Sequence, residues 1–373
     1  MKVASIEIHD FRNIGCQVVS FGPRVNLVVG SNGQGKTNLV EAIAFLSWLK
    51  SFRSPRTADL LRAAQGVSSA GLAAVVEGAK GRHEIRAEIG RGWRRVIIDG
   101  SPACSSRDTI QILSVSCLSP DDPAVLEGGP DGRRMLLDRF AAQLEPSRTI
   151  VFSTWSRLVR ERNVLLRNDR RDNDLLDAVE QNMSSVGAEY LMIRLDTIDR
   201  IASRLPAMMN AMTDTDLRAR VGLSSRWLRG AALPAASSER ASFLSAALGS
   251  ELALRRDSDA ILGYTTAGPG VDDVDVQLQE LKVRGHASRG QKKVLMLAWK
   301  AAEAAEISAV RSEEPVLVLD DALADLDPLR QEGVVSFLRG YGGQSFITSA
   351  AAEGSVFRDA TVIRASGGTF SVA

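Results

Sequence analysis

Apolar positions change their spacing several times along the chain, and each change marks an element. Ile6 and Ile8 alternate with polar neighbours near the start, and Val25-Asn26-Leu27-Val28-Val29 is a short apolar run that stops at Gly30. Both predict strands, the second a buried one entering a glycine turn. From Lys36 onward Leu39, Val40, Ile43 and Leu46 recur every three or four positions, so the turn opens onto a helix. Between about Leu72 and Asp99, the alternation in Ala87-Glu88-Ile89, the run Val96-Ile97-Ile98 and the glycines Gly90 and Gly92 between them predict antiparallel strands, with a turn at Asp99-Gly100.

From about Pro120 to Leu262 the pattern becomes helical, with Leu191, Leu195, Ile198, Ile201 and Leu205 spaced by three or four. The stretch lacks the long unbroken heptads of a coiled-coil arm. After Gly268-Pro269-Gly270 an α/β pattern returns: a helix from about Gly290 to Glu306, a strand Val316 to Leu319, another helix, and a strand Ser345 to Thr348. The expected organisation is one α/β domain made of residues 1–119 and 265–373, split by a mainly helical lobe over residues 120–264.

Composition narrows the setting. The 373 residues are 45% hydrophobic and 24% charged, enough for a sizeable core and a second lobe. Met1-Lys2-Val3-Ala4-Ser5-Ile6-Glu7-Ile8 puts charges where a signal peptide is apolar, and no later apolar run is long enough to span a bilayer, so a cytoplasmic location without membrane attachment is expected. Cys16, Cys104 and Cys117 lie far apart and form no cluster with His9, His83 and His286, so reduced thiols and no structural zinc are expected. With 46 basic against 45 acidic residues the chain has no global attraction for nucleic acid, and DNA binding would need a local basic surface. Only eight of the basic residues are lysine, a bias that an arginine-rich composition explains as well as phosphate binding does.

Gly30-Ser31-Asn32-Gly33-Gln34-Gly35-Lys36-Thr37 fits the phosphate-loop pattern G-x-x-x-x-G-K-[ST] in full. Glycines let the backbone curl so that successive N–H groups face a phosphate, and the helix N-terminus adds positive potential. Lys36 is expected to reach the β- and γ-phosphates of ATP, and Thr37 to hold Mg2+. Val316-Leu317-Val318-Leu319-Asp320-Asp321 is an apolar strand delivering two carboxylates at its C-terminal end. Asp320 is the expected Mg2+ ligand, and Asp321 the group that orients or deprotonates the attacking water. Roughly 280 residues separate the two motifs, which implies a large insertion between two halves of one nucleotide site.

That separation resembles the heads of the RecF and SMC class of ABC ATPases, whose insertions carry lobes or coiled coils. Ala287-Ser288-Arg289-Gly290-Gln291, about thirty residues before the carboxylates, resembles the signature motif of that class. By itself it also reads as a capped helix start. The resemblance implies that Ser288, Gly290 and Gln291 complete the ATP site of an opposite subunit in an ATP-dependent homodimer. Ala324-Asp325-Leu326-Asp327 resembles the D-loop of the class, near both sites, and is equally a capped turn before Pro328. Thr348-Ser349 occupies the switch position without a histidine, and Ser119 to Asp122 stands where a Q-loop glutamine would be.

The chain as a whole resembles the RecF family. The similarity rests on Phe11-Arg12-Asn13-Ile14, Ser119-Pro120-Asp121-Asp122, Arg133-Arg134 with Asp138, Arg162-Asn163 with Leu165-Leu166, and Gly268-Pro269 with Asp272-Asp273; Gly270-Val271 departs from the usual His-Arg. It implies an ABC-type P-loop ATPase head with a second, mainly helical lobe, binding of duplex DNA beside single-stranded gaps, RecO and RecR as partners, and loading of RecA; Asp321, one methylene shorter than the glutamate usual in transport ATPases, predicts slow ATP hydrolysis. Alternatives are another SMC- or ABC-type ATPase, a P-loop small-molecule kinase, or a scaffold with structural ATP. Arginines that could contact DNA are Arg53 and Arg56, Arg91, Arg94 and Arg95 around Trp93, and the run Arg157, Arg160, Arg162, Arg167, Arg170, Arg171. The last run is broken by Glu161, Asp169 and Asp172 and also reads as a solvated helix face.

Overall fold

A computed structural model describes residues 1–168, 172–213, 218–324, 326–350, 357 and 359–373. The chain folds as two compact units: Met1–Ala124 with Arg204–Arg218 and Ala287–Ala373, and Val125–Ser203 with Ala219–His286.

The first unit is layered around a sheet whose strands Val25–Val29, Ser345–Ser349, Val316–Leu319 and Val115–Leu118 run parallel in that order. Thr361–Ser366 continues it in parallel beyond Val25–Val29, and Thr369–Val372 folds back antiparallel at the edge. Parallel strands covered on both faces read as unbroken apolar runs, and all four residues of Val316–Leu319 are buried. A second, antiparallel sheet has the order Ile14–Ser20, Lys2–Phe11, Ser69–Gly78, Gly81–Gly90, Trp93–Ile98, Ser101–Pro102. Helix Lys36–Trp48 touches strands of both sheets, and every residue from Leu39 to Trp48 is buried. A helix enclosed in this way is apolar around most of its circumference.

Helix Arg289–Arg311 is buried over most of Val294–Ile307. It carries a buried ion pair, Lys300 to Glu303 at 2.9 Å, and Glu303 also accepts from Trp299 Nε1 (2.9 Å) and from Ser116 Oγ (3.2 Å) on the edge strand. Burial pushes the Glu303 carboxyl up, and the Lys300 charge opposes that shift.

The second unit contains helices Pro130–Leu144, Arg148–Leu166, Ser237–Leu254 and Arg256–Leu262, and the part of the 40-residue helix Asn173–Met212 that lies before Arg204. Its apolar core gathers Trp155, Leu158, Met183, Leu191, Leu244 and Leu248. The helical periodicity predicts helices here, and the unit also holds a small antiparallel sheet, Ala219–Ser224 with Asp273–Leu278 and Leu281–Lys282. Residues 265–286 lie in the second unit and residues 120–124 in the first, whereas the sequence expectation joined 265–286 to the α/β part and 120–124 to the helical lobe. Arg204 to Met212 belong to the first unit, where a Cβ on Gly333 would lie only 2.9 Å from Met212 Cα.

Candidate active site

The loop Gly30–Thr37 follows strand Val25–Val29 directly and ends in the buried helix. Gly35 takes φ 104°, a left-handed conformation, and a Cβ there would stand 2.9 Å from Asn13 Oδ1, so the position requires glycine. The helix starts with no capping side chain and no acidic residue in its first turn, which leaves its leading N–H groups to an anion. Ser31, Asn32 and Gly33 are exposed at the mouth of the loop. Lys36 Nζ donates to the carbonyl oxygens of Gly30 (2.6 Å) and Ser31 (3.0 Å), so the ammonium is held within the loop. Gln34 ties the loop to the hairpin turn after Ser366: its side-chain oxygen accepts from Gly367 N–H (2.5 Å) and its carbonyl from Gly368 N–H (3.0 Å).

Thr37 Oγ1 donates to Asp320 Oδ1 at 3.0 Å across a sequence separation of 283 residues. Thr348 Oγ1 donates to the same oxygen (2.6 Å) and accepts from Asp321 N–H (2.8 Å), fixing both acidic residues from the neighbouring strand. The second oxygen, Asp320 Oδ2, is buried and has no hydrogen-bond partner among the described residues. Burial pushes the Asp320 carboxyl above its ordinary value and the adjacent Asp321 adds to this; the Thr348 and Thr37 hydroxyls and Arg53 oppose it. An unpartnered carboxylate oxygen beside a threonine hydroxyl is a hard-oxygen donor set of the kind that suits Mg2+. Asp321 is exposed and adopts φ 53°, a left-handed conformation that aspartate tolerates better than most residues. Lys293 Nζ holds the turn by donating to the carbonyls of Asp321 (2.9 Å) and Ala324.

The remaining motif residues lie at helix starts. Ser288 caps Arg289–Arg311: its Oγ accepts from Gln291 N–H (3.2 Å), and Gln291 Oε1 accepts from Ser288 N–H (2.8 Å). Gly290 is half-buried, and a Cβ on it would meet Arg330 Nη1 at 3.2 Å. Asp327 caps Pro328–Gly340 by accepting from Arg330 N–H (3.1 Å) and pairs with the Arg330 side chain (3.0 Å). Asp325 lies outside the described residues. The cap readings of both motifs therefore hold, and Ser288 remains exposed at its cap. At the Q-loop position Ser119 is buried at the end of strand Val115–Leu118, its N–H bonded to Asp122 Oδ2 (2.8 Å).

Several supporting residues were not singled out for this site. Asn13 accepts from Asn38 Nδ2 (2.7 Å) and stands against Gly35, so the hairpin near the chain start braces the loop. Arg12 makes a two-pronged contact with Glu41 on the loop helix (2.9 and 2.7 Å), and Glu41 is fully buried. A charged residue at a buried helical position is a usable sequence signal, but it does not name its partner. Thr348, at the switch position without a histidine, carries no sequence signal for its contact with Asp320.

The arginine run is divided by the structure. Arg162 is fully buried, bonded to Glu180 (2.9 Å), Asp259 (2.7 Å), Thr265 (3.0 Å) and the Leu252 carbonyl (2.9 Å), and so is no surface contact. Arg157 pairs with Glu161 (2.7 Å), Arg167 donates to the Gly263 carbonyl (2.9 Å), and Arg170 and Arg171 lie outside the described residues. Other residues quoted for the family resemblance build the interior of the second unit: Arg133 grips Asp273 (2.8 and 2.9 Å), and Arg194 grips Asp138 (2.9 Å) and the Pro269 carbonyl (2.6 Å). Gly270 and Val271, the departure, are exposed.

A parallel sheet carrying a phosphate loop and a paired-carboxylate strand from opposite ends of the chain defines the heads of the RecF and SMC class. Residues 2–365 match the RecF/RecN/SMC N terminal domain family. The DNA replication and repair protein RecF of Myxococcus xanthus (strain DK1622) is 34% identical over 362 residues, covering 96% of this chain and 93% of the relative. The chain belongs to the RecF family. The solved structure of the recombination mediator protein RecF-ATP in the RecFOR pathway superimposes with a TM-score of 0.87 at 23% identity, over all of this chain and 97% of that one. An Smc head bound to the C-winged helix domain of ScpA gives 0.56 at 15% identity, with 100% and 97% covered. No helix among the described residues is long and apolar enough to cross a membrane.

Proposed function

We propose that this chain is an ATP-dependent DNA-binding protein of recombinational repair and replication-fork maintenance, in which two copies close head to tail around two ATP molecules. The observation that carries the reading is the meeting of Thr37 with Asp320 at 3.0 Å, beside a buried and unpartnered Asp320 Oδ2. Gly30, Ser31, Asn32, Gly33, Gln34 and Gly35 line the phosphates with backbone N–H groups, and Lys36 exchanges its two loop carbonyls for phosphate oxygens. Thr37 and Asp320 would hold Mg2+, which when bound neutralises phosphate charge. Asp321, anchored through its N–H by Thr348, orients the attacking water and accepts its proton.

Ser288, Gly290, Gln291 and Asp327 meet the nucleotide of the opposite copy, a role that the exposure of Ser288 supports. Asp321 is one methylene shorter than a glutamate, which favours the slow turnover of a switch and a weak, DNA-stimulated ATPase. Closure raises affinity for DNA and hydrolysis lowers it, because ATP and DNA favour the same state. The relative's name, a DNA replication and repair protein, supports DNA as the ligand, and the RecFOR pathway of the structural neighbour supports RecO and RecR as partners. Duplex beside a single-stranded gap is the proposed target, with loading of RecA as the outcome.

Sedimentation of the wild type and of Lys36→Met with Mg-ATP and with Mg-ADP tests the site. The wild type should dimerise in ATP alone, and the variant should remain monomeric while melting at the wild-type temperature. Dimerisation of Lys36→Met to the wild-type extent would mean that the loop does not bind the nucleotide that drives closure.

A further inference from the structure

Two arginine groups that are far apart in sequence form one surface in the first unit. Thr57 Oγ1 donates to the Gly90 carbonyl (2.8 Å) and accepts from Gly92 N–H (2.9 Å), which ties the segment carrying Arg53 and Arg56 to the turn joining strands Gly81–Gly90 and Trp93–Ile98. Arg53 is occupied with Asn38 (2.8 Å) on the phosphate-loop helix. Arg56 is 79% exposed and pairs with Asp59 at 3.3 Å, its one ion pair among the described residues and an exposed one of little strength. Arg91, Arg94 and Arg95 are exposed and make no ion pair among the described residues. Glu88 stands opposite Arg95 in the strand register, so Arg91 and Arg94 carry most of the free charge.

Trp93, 47% exposed, shares one face of its strand with Arg95, and Arg94 lies on the other. Its indole lies over Gly90, where a Cβ would come within 2.1 Å of the ring, so the glycine lets the ring lie against the backbone. A chain with 46 basic and 45 acidic residues has no net charge to draw it to DNA, and a local cluster of this kind is what it would need. A half-exposed tryptophan beside arginines that make no ion pair among the described residues suits unpaired nucleotides, with guanidinium forks on phosphates and a base stacked on the ring. A protein partner would be expected to find further apolar groups around the tryptophan, whereas the residues beside it in the strand register are Gly90, Glu88 and Arg95.

We propose that the Gly90–Trp93 turn, with Arg56, Arg91, Arg94 and Arg95, is a nucleic-acid contact of the first unit, and that Trp93 stacks on an unpaired base at a junction between single and double strand. The inference rests on the DNA-binding reading above and assigns it a surface. The test is fluorescence anisotropy in Mg-ATP at several salt concentrations, with a labelled duplex bearing a single-stranded extension and with the blunt duplex. The proteins are the wild type, the triple variant Arg91→Gln/Arg94→Gln/Arg95→Gln, Trp93→Ala and Trp93→Phe, each checked for an unchanged melting temperature.

The triple variant should bind about tenfold more weakly at low salt, and its plot of log affinity against log salt should be shallower by roughly 2 to 3. Trp93→Ala should lose about 5- to 100-fold on the extended substrate and little on the blunt one, and Trp93→Phe should keep most of the preference. Wild-type affinity and salt slope in the triple variant, with the wild type binding normally, would overturn the assignment and leave the DNA-binding reading standing. Equal losses for Trp93→Ala on both substrates would overturn the stacking role. No DNA binding by the wild type would remove the reading itself, and this inference with it.

Discussion

Arg162→Met separates a structural arginine from a DNA-contacting one. Arg162 is fully buried and its guanidinium makes four hydrogen bonds of 2.7 to 3.0 Å, two of them to carboxylates. Methionine matches the stem but returns none of these bonds. Glu180 would keep Arg256, which reaches it at 2.6 Å, but Asp259 is itself fully buried and, among the described residues, would keep the Thr266 hydroxyl (2.5 Å) as its side-chain donor. Removing one member of a buried pair and stranding the other costs about 3–5 kcal/mol. For a unit of this size that corresponds to a fall in melting temperature of roughly 6–20 °C. Calorimetry should show the loss in Arg162→Met, while Arg160→Met, an exposed change on the same helix, stays within about 0.5 kcal/mol of wild type. Adding Asp259→Asn to Arg162→Met should recover part of the loss, because the stranded charge is gone. The reasoning is refuted if Arg162→Met melts like the wild type but binds DNA more weakly, which would make the residue a surface contact after all.

Thr348→Val removes the hydroxyl that joins Asp320 to Asp321; losing a hydrogen bond to a charged group costs about 1.5–3 kcal/mol, so single-turnover ATP hydrolysis should slow roughly 10- to 100-fold, and an unchanged rate would discount the bridge. Asp321→Asn keeps a side chain suited to the left-handed backbone and should leave an ATP-bound dimer that outlasts the wild-type one in size-exclusion chromatography; equal lifetimes would favour a scaffold with structural ATP. Burial pushes the Asp272 carboxyl up to about 6, with the nearby Arg194 charge and the Trp227 N–H opposing it. The folded chain therefore holds that proton up to a higher pH than the unfolded chain, so the stability this group contributes is full below about pH 4 and is lost as pH rises to about 6, a change of about 3 kcal/mol. Urea midpoints from pH 4 to 7 should lose that component in Asp272→Asn, and identical pH profiles would show that Asp272 titrates normally.

The parts of this molecule legible in the sequence are those whose signal is local. Strand Val25–Val29, helix Lys36–Trp48 and strand Val316–Leu319 follow from runs and periods that do not depend on a distant partner. Non-local pairing leaves no such local signal. Ala219–Ser224 is a strand because Asp273–Leu278 lies beside it, about fifty residues on, inside a stretch whose dominant period is helical. Arg162 stands in a row of arginines, and only the positions of Glu180 and Asp259 show that it faces inward. Asn13 and Thr348 carry no chemistry recognisable alone; each matters through the atom it touches, Asn38 or Asp320, in another part of the chain.

The most direct test of the account is the affinity of the wild-type chain for a labelled gapped duplex, measured by anisotropy in Mg-ATP and in Mg-ADP at matched salt. Tighter binding in ATP, weakening as salt rises, is the predicted result, because closure of two copies should present a phosphate-binding surface. Equal affinity in the two nucleotides would contradict ATP control of DNA binding, even if the chain hydrolyses ATP.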